Sequence, residues 1–319
     1  MRRWWRNWRR ARRRRLPGGM RGLQVARRTV QLFVLALLFV IPSLSLYDNM
    51  RNQRDTVGID GRWDTRTIHA VVGDLDHPEA VTQSVRGSVW TFKAGDLIVS
   101  DPLAVLDFIA ASRRLLDAFL LTALIPLVFT LVFGRVFCGW ICPADLLFEI
   151  GSKVRAWVGI ERDAPFSRWI KYAALGLGAL AGAVCGVQIF AEIYPPRIVS
   201  AEAYLWTSFR TLGAGAWFLL TVVAFEIFVS RRFWCRYVCP GGALYSLLGR
   251  WRPVRLKVIE SRCTDCAKCQ PVCEFGLDPS RGDFGQECNN CGLCVRACAP
   301  GALTWRVGKP PRSGLDVLP

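Results

Sequence analysis

Cysteine carries the densest chemistry in this chain. Of thirteen cysteines in 319 residues, twelve fall into spaced sets. Two short sets read FCGWICP at 137–143 and WCRYVCP at 234–240, placing Cys138 with Cys142 and Cys235 with Cys239, each pair closed by a proline. Two longer sets read CTDCAKCQPVC at 263–273 and CNNCGLCVRAC at 288–298. Cysteine binds metal and attacks as the thiolate, so such grouping points to metal ligation or thiol chemistry. Zinc sites pair two short knuckles across a longer spacer and have no use for a C-x3-C step in both sets.

Each long set is C-x2-C-x2-C-x3-C, the spacing of a two-cluster bacterial ferredoxin, in which three thiolates wrap one cube and the fourth crosses to the other. On that crossover, Cys263, Cys266, Cys269 and Cys298 would hold one [4Fe–4S] cluster. Cys288, Cys291, Cys294 and Cys273 would hold the second. Two details depart from the ferredoxin run: Glu274 rather than proline follows Cys273, and Pro300 stands one residue late after Cys298. The short sets are less specific. On a helix, positions i and i+4 share a face, so each would offer two thiolates side by side. GRVFCGWICPADLLFEI and RRFWCRYVCPGGALYSL also resemble each other beyond the cysteines, an internal repeat. Two such halves together would bring Cys138, Cys142, Cys235 and Cys239 to one place, enough thiolates for a third Fe–S cluster. The plainer alternative is a helix junction of small apolar residues with proline marking the turn. Cys185 is alone in an apolar run and reads as a small buried hydrophobe.

Four apolar runs must position these sets: 29–47, 116–134 (interrupted by Pro126), 169–190 and 216–230. A bilayer takes roughly 20 apolar residues per helix, so the expectation is a membrane all-α fold of four transmembrane helices arranged as two repeated hairpins. A small α+β two-cluster ferredoxin-like domain follows. Residues 1–28 hold twelve arginines and no acid. Alone they would suggest RNA. Directly before a membrane helix they read as a cytoplasmic anchor that also touches anionic lipid, with no nucleic-acid partner. The paired arginines resemble a twin-arginine export signal, but no small-residue cleavage site follows. The resulting organisation is a basic arm at 1–28, a membrane domain at 29–258 with an outside loop at 48–115, a double ferredoxin domain at 259–308 and a tail at 309–319. Both termini are expected in the cytoplasm of a bacterial inner membrane, with 135–168 and everything after 231 on the same, reducing side, where disulfides are disfavoured. The basic amphipathic stretches 152–169 and 245–258 are expected to lie along the inner membrane surface.

Absences narrow the chemistry. The only histidines, His69 and His77, lie in the outside loop, so no helix offers a histidine pair to a membrane haem. There is no CxxCH and no GxGxxG. Electrons must then come from a membrane quinol or a partner protein. A quinol also releases protons, and Glu226 is the one carboxylate inside an apolar run, a functional candidate by position or a partner for Arg231 or Arg232. Glu192 and Tyr194 in AEIYPPR sit at the outer boundary, where a quinol head group could bond; Tyr there is also an ordinary interfacial anchor. His69 and His77 rank below them as proton carriers.

Four apolar helices, a CxxxCP after the second and fourth, and the double cysteine tail together resemble the NapH/MauN family of membrane ferredoxin-type proteins, over about residues 25 to 306. The resemblance implies an electron-transfer protein that takes electrons from the quinol pool. It would pass them through [4Fe–4S] clusters to a redox partner of a periplasmic reductase or dehydrogenase, such as a periplasmic Fe–S protein or a multihaem cytochrome. Enzymatic activity would be that of a quinol dehydrogenase component. The alternatives are a maturation factor supplying electrons for assembly of a periplasmic metalloenzyme, and a redox-sensing membrane regulator. The wider group includes NosR-like proteins; here no large outside flavin domain and no SGAT-type flavinylation motif is found. The long outside loop reads as a partner-docking element.

Overall fold

The computed structural model describes residues 18–160 and 163–308; most of the basic arm (1–17) and the tail (309–319) lie outside the described residues. The described chain is mostly helical and falls into two compact units. One holds 18–31, 127–180 and 220–308, the other 32–126 and 181–219. The chain passes from one to the other inside the four apolar helices Gly18–Asn52, Leu124–Phe133, Trp169–Cys185 and Ala214–Phe228.

These helices differ in length from the apolar runs, for local reasons. Among the described residues one stretch, Gly22–Asn52, is a helix long and apolar enough to cross a bilayer. The second run is split into Asp117–Thr122 and Leu124–Phe133. Pro126 has no N–H for the Thr122 carbonyl, and its ring crowds that carbonyl. The third stops at Cys185 because Gly186 takes the left-handed conformation (φ +70°) and returns its N–H to the Gly182 carbonyl at 2.8 Å, a common helix ending. The fourth runs Ala214–Phe228. All four carry exposed apolar side chains: Leu32, Leu121, Leu177 and Leu220 are 60%, 68%, 66% and 59% exposed. Cys185 is also exposed, against the expectation of a buried hydrophobe, because an apolar helix need not bury every apolar side chain.

In the second unit, the stretch expected as an outside loop is folded. Helices Thr56–Gly61, Trp63–Val72 and Pro78–Thr82 precede a three-stranded antiparallel meander, Val85–Gly87, Thr91–Ala94 and Leu97–Ser100. Helix Pro102–Ser112 follows, capped by Asp101. Asp107 of this helix is buried and accepts the Phe190 and Ala191 N–H groups at 3.1 and 3.0 Å.

In the first unit, each CxxxCP leads into a further helix, Ala144–Val158 or Pro240–Leu248. Arg155 donates to the Glu226 and Ile227 carbonyls at 3.1 and 2.7 Å, filling acceptors that the end of Ala214–Phe228 leaves open. The tail is closed by an antiparallel pair, Val254–Val258 with Leu303–Val307, with Leu256 opposite Trp305. Part of the stretch expected along the membrane surface is thus a strand: VRLKV alternates with period two and buries Leu256. Cys269, Cys288 and Cys294 belong to the same core as Leu256, Phe275, Phe284 and Leu303.

Glu149 ties helix Ala144–Val158 to Arg28, with Lys153 at 3.1 Å adding an i,i+4 pair. Burial alone would raise its carboxyl, but the Arg28 bond and charge, with Lys153, hold it at about 2 against an ordinary 4.5. A depressed carboxyl stabilises the fold above its unfolded value and loses that contribution as pH falls through the folded value. Wild type should therefore lose about 2 kcal/mol between pH 5 and pH 2 that Glu149→Gln never has, allowing for the half-exposed Arg28. Thermal melts in detergent across that range check it; parallel pH profiles would rule it out.

Candidate functional site

The CxxxCP segments are junctions rather than continuous helical faces. Cys138 lies in the single turn Val136–Trp140, and Cys142 lies beyond it, its N–H on the Phe137 carbonyl at 3.0 Å. Cys235 sits in a π-helical turn, Trp234–Val238, and Cys239 caps Pro240–Leu248, its sulfur accepting the Gly242 N–H at 3.4 Å. Proline after each second cysteine ends one element and starts the next, which is why neither pair stays on one straight helix.

The charges of these thiols act on one another. Burial raises the Cys142 thiol well above its usual value, and the charges of Cys138, Asp145 and Cys239 push it further. Burial likewise raises Cys235, with Glu226, Cys239 and Cys142 adding to it, and pushes Cys239 up to about 12 with the help of Cys138. Thiols from both repeats therefore share one buried electrostatic environment.

The tail cysteines divide by the same criterion. Burial pushes Cys269 up to about 11, aided by Cys298 and Cys266. Burial pushes Cys291 up to about 12, aided by Cys288 and Cys273. It raises Cys294 well above the ordinary value, with Cys291, Cys288 and Cys273 all contributing. Cys266 is exposed and held below the ordinary thiol value, chiefly by the Lys268 N–H. Cys263 donates to the Asp265 carboxylate at 3.6 Å.

Buried charges that sequence reasoning missed surround these thiols. Arg135 and Arg232, each three residues before the first cysteine of its motif, are 0% exposed. Arg135 pairs with Glu287 and donates to the Cys235 carbonyl at 3.1 Å. Gly242 leaves room for this, since a Cβ there would lie 2.8 Å from the guanidinium. Lys171 also pairs with Glu287, and the Tyr172 hydroxyl donates to it at 2.7 Å. Burial opposes ionisation of Glu287, but Arg135 and Lys171 hold it at about 2. Arg232 reaches Asp145 at 2.8 Å and also Glu274; Arg27 completes the group, 3.0 Å from Asp145. The glutamate standing where the ferredoxin run has proline is thus the partner of Arg232. The signal available in the sequence was R-x-x-C in both repeats.

The other candidates separate. Glu226 is buried; its Oε1 accepts the Trp234 N–H at 3.3 Å, and its Oε2 meets no hydrogen-bond partner among the described residues. Its hydrogen bond thus goes to the backbone beside Cys235, while Arg232 bonds elsewhere and Arg231 donates to the Pro271 carbonyl. Glu192 is 72% exposed and pairs with Arg197 at 3.2 Å. Tyr194 is buried and donates to Asp101 at 2.9 Å. His69 meets the Tyr47 hydroxyl at 3.0 Å, and His77 meets Glu79 at 3.1 Å.

Among the described residues no three Cys, His, Asp or Glu side chains converge as one metal ion requires. A cubane asks for something different, four thiolates spread over four irons. Grouped buried thiols that raise one another, with the Arg27, Arg135 and Arg232 guanidinium groups near them and Asp145, Glu287 and Glu274 as those arginines' partners, fit an anionic thiolate cluster.

Comparison with known proteins agrees in kind. A family model described as a 4Fe-4S binding domain matches 118–161 and 211–258, and each matched segment contains one CxxxCP. The ferredoxin-type protein NapH of Haemophilus influenzae is 31% identical over 66% of this chain and 79% of its own length. The methylamine utilization ferredoxin-type protein MauN of Methylobacillus flagellatus is 28% identical over 60% of this chain and 65% of its own. NapH of Escherichia coli is 26% identical over 65% and 74%. No solved structure matches the chain. The repeated CxxxCP segments and these likenesses over most of its length place the chain in the NapH/MauN family of ferredoxin-type proteins.

Proposed function

We propose that this chain is a membrane-bound iron–sulfur electron-transfer protein. It takes electrons from quinol and passes them to a redox partner of a periplasmic reductase or dehydrogenase system. The observation that carries the reading is the grouping of the cysteines. Cys138, Cys142, Cys235 and Cys239 form one set; Cys266, Cys269 and Cys298, with Cys263 three residues upstream, form a second; Cys273, Cys288, Cys291 and Cys294 form a third. Each is the ligand set of one [4Fe–4S] cluster, which when bound supplies one-electron redox chemistry.

The chain's own residues do the rest. Arg27, Arg135 and Arg232, each also paired with a carboxylate, would offset part of the buried thiolate charge. The four apolar helices, with apolar side chains exposed along them, support four spans, and the basic arm before the first supports a cytoplasmic N-terminus. Four spans then return the tail to the cytoplasm. Quinol gives up two electrons and two protons, so two one-electron passages and two proton acceptors are needed per molecule. Glu226 is the favoured first acceptor: a buried carboxylate within an apolar helix, one oxygen without a hydrogen-bond partner among the described residues, beside the Cys235 turn. Glu192 and Tyr194 would belong to an alternative head-group site at the outer boundary.

The test is anaerobic reduction of the purified protein in proteoliposomes by a soluble quinol analogue, followed by loss of Fe–S absorbance. Wild type should bleach, and Glu226→Gln should slow bleaching by roughly tenfold or more while dithionite still reduces it fully. Reduction by dithionite but never by quinol would sink the quinol reading and favour a maturation role.

A further inference from the structure

We infer that the two cluster sites of the tail are unequal stations in a fixed order. Cys273, Cys288, Cys291 and Cys294 form an inner site clasped to the CxxxCP segments. Cys263, Cys266, Cys269 and Cys298 form an outer site, reached from the CxxxCP segments only through the inner one. The inference rests on reading these cysteines as Fe–S ligands.

The clasp is built from both repeats. Arg135 and Arg232 occupy the same place before their motifs, and both are fully buried. Their tail partners are Glu287, immediately before Cys288, and Glu274, immediately after Cys273. Those glutamates lie at the end of one cysteine set and the start of the next, yet both flank ligands of the same site. The ligand loops themselves also touch. A Cβ on Gly139, between Cys138 and Cys142, would lie 2.6 Å from the amide of Asn289, between Cys288 and Cys291. One on Gly276, just past Cys273, would strike Arg236, between Cys235 and Cys239. Gln24 donates to the Cys291 carbonyl at 2.8 Å, Arg231 to that of Pro271 at 3.1 Å, and Asn290 to that of Phe133 at 2.9 Å.

In the other set Cys269 is buried in the core, but the loop that carries Cys266 is open. Thr264, Asp265, Cys266, Ala267 and Lys268 are all exposed. Electron tunnelling favours the shortest gaps, so the CxxxCP set is coupled to the inner site and the inner site to the outer one. Each transfer oxidises one station and reduces the next by one electron, and one quinol supplies two such passages.

The experiment strips iron slowly from the intact, anaerobically purified protein with an Fe(II) chelator under dithionite, alkylates released thiols, and maps them by mass spectrometry. The first about four irons should leave with alkylation of Cys263, Cys266, Cys269 and Cys298, while Cys273, Cys288, Cys291 and Cys294 stay protected. Glu287→Gln, or the less buried Glu274→Gln if the first does not assemble, should remove that protection. Release of the inner set first, or of both sets together in wild type, would overturn the order. Because dithionite replaces quinol here, failure of the quinol reading leaves this result intact. A chain that holds no iron would defeat both.

Discussion

A Cys138→Ser/Cys235→Ser variant should carry about eight irons per chain where wild type carries about twelve. Each substitution removes one thiolate from one repeat, leaving Cys142 and Cys239, too few to hold a cubane. The tail sets should be spared, because none of their ligands is changed and Cys269, Cys288 and Cys294 sit in a core of Leu256, Phe275, Phe284 and Leu303, against which Cys235 packs from outside and where serine is no larger. The functional consequence is sharper than the iron count. With the set beside the apolar helices empty, quinol-driven bleaching of the tail clusters should fall to background, while dithionite still reduces them. Anaerobic iron analysis with spectra of both proteins decides the matter. About eight irons in wild type as well would confine the clusters to the tail and make the CxxxCP pairs a thiol or structural feature, which would advance the maturation reading.

The chain wrote part of this architecture openly and part of it where no spacing rule reaches. Thiolates two or three residues apart must sit on one turn of chain, so the grouping of Cys266 with Cys269, or Cys288 with Cys291, follows from local geometry. The crossover of Cys273 and Cys298 is not local in this sense; it is expected only from the spacing of two-cluster ferredoxins. The charged partners were not. Arg135 meets Glu287 across 152 residues and Arg232 meets Glu274 across 42, and nothing local marks either pair. Glu226 illustrates the opposite failure: nearby Arg231 and Arg232 suggested an ion pair by proximity in sequence, but the turn at Trp234 supplied a backbone N–H instead. Helix lengths were overestimated wherever Pro126 or Gly186 intervened, because hydropathy averages over residues whose backbone chemistry ends a helix. Strand Val254–Val258 was overlooked because its alternating Arg and Lys resemble an interfacial helix, until pairing with Leu303–Val307 gives the period-two pattern a partner.

Arg232→Gln should be among the most damaging single substitutions outside the cysteines. The Arg232 guanidinium bonds the Asp145 carboxylate at 2.8 Å, the Asp145 carbonyl at 3.1 Å and the Glu274 carboxylate. Removing it strands Glu274 and leaves Asp145, which is 2% exposed, with Arg27 and the Gln31 amide. Breaking a buried pair from one side costs about 3–5 kcal/mol, a large share of the roughly 5–15 kcal/mol that holds a typical domain. Arg232→Lys should recover little, since one ammonium cannot span two carboxylates as the planar fork does. The adjacent Arg231→Gln is the control. It loses chiefly the bond to the Pro271 carbonyl at 3.1 Å, about 1 kcal/mol, so two arginines next to each other in sequence should differ severalfold in effect. Adding Asp145→Asn to Arg232→Gln should restore part of the loss by removing one stranded carboxylate, though Arg27 then lacks its partner. Thermal unfolding in detergent, read together with iron retention, measures all four. Equal melting of the Arg231 and Arg232 variants would mean that the buried ion pairs contribute no more to the clasp than one backbone bond does.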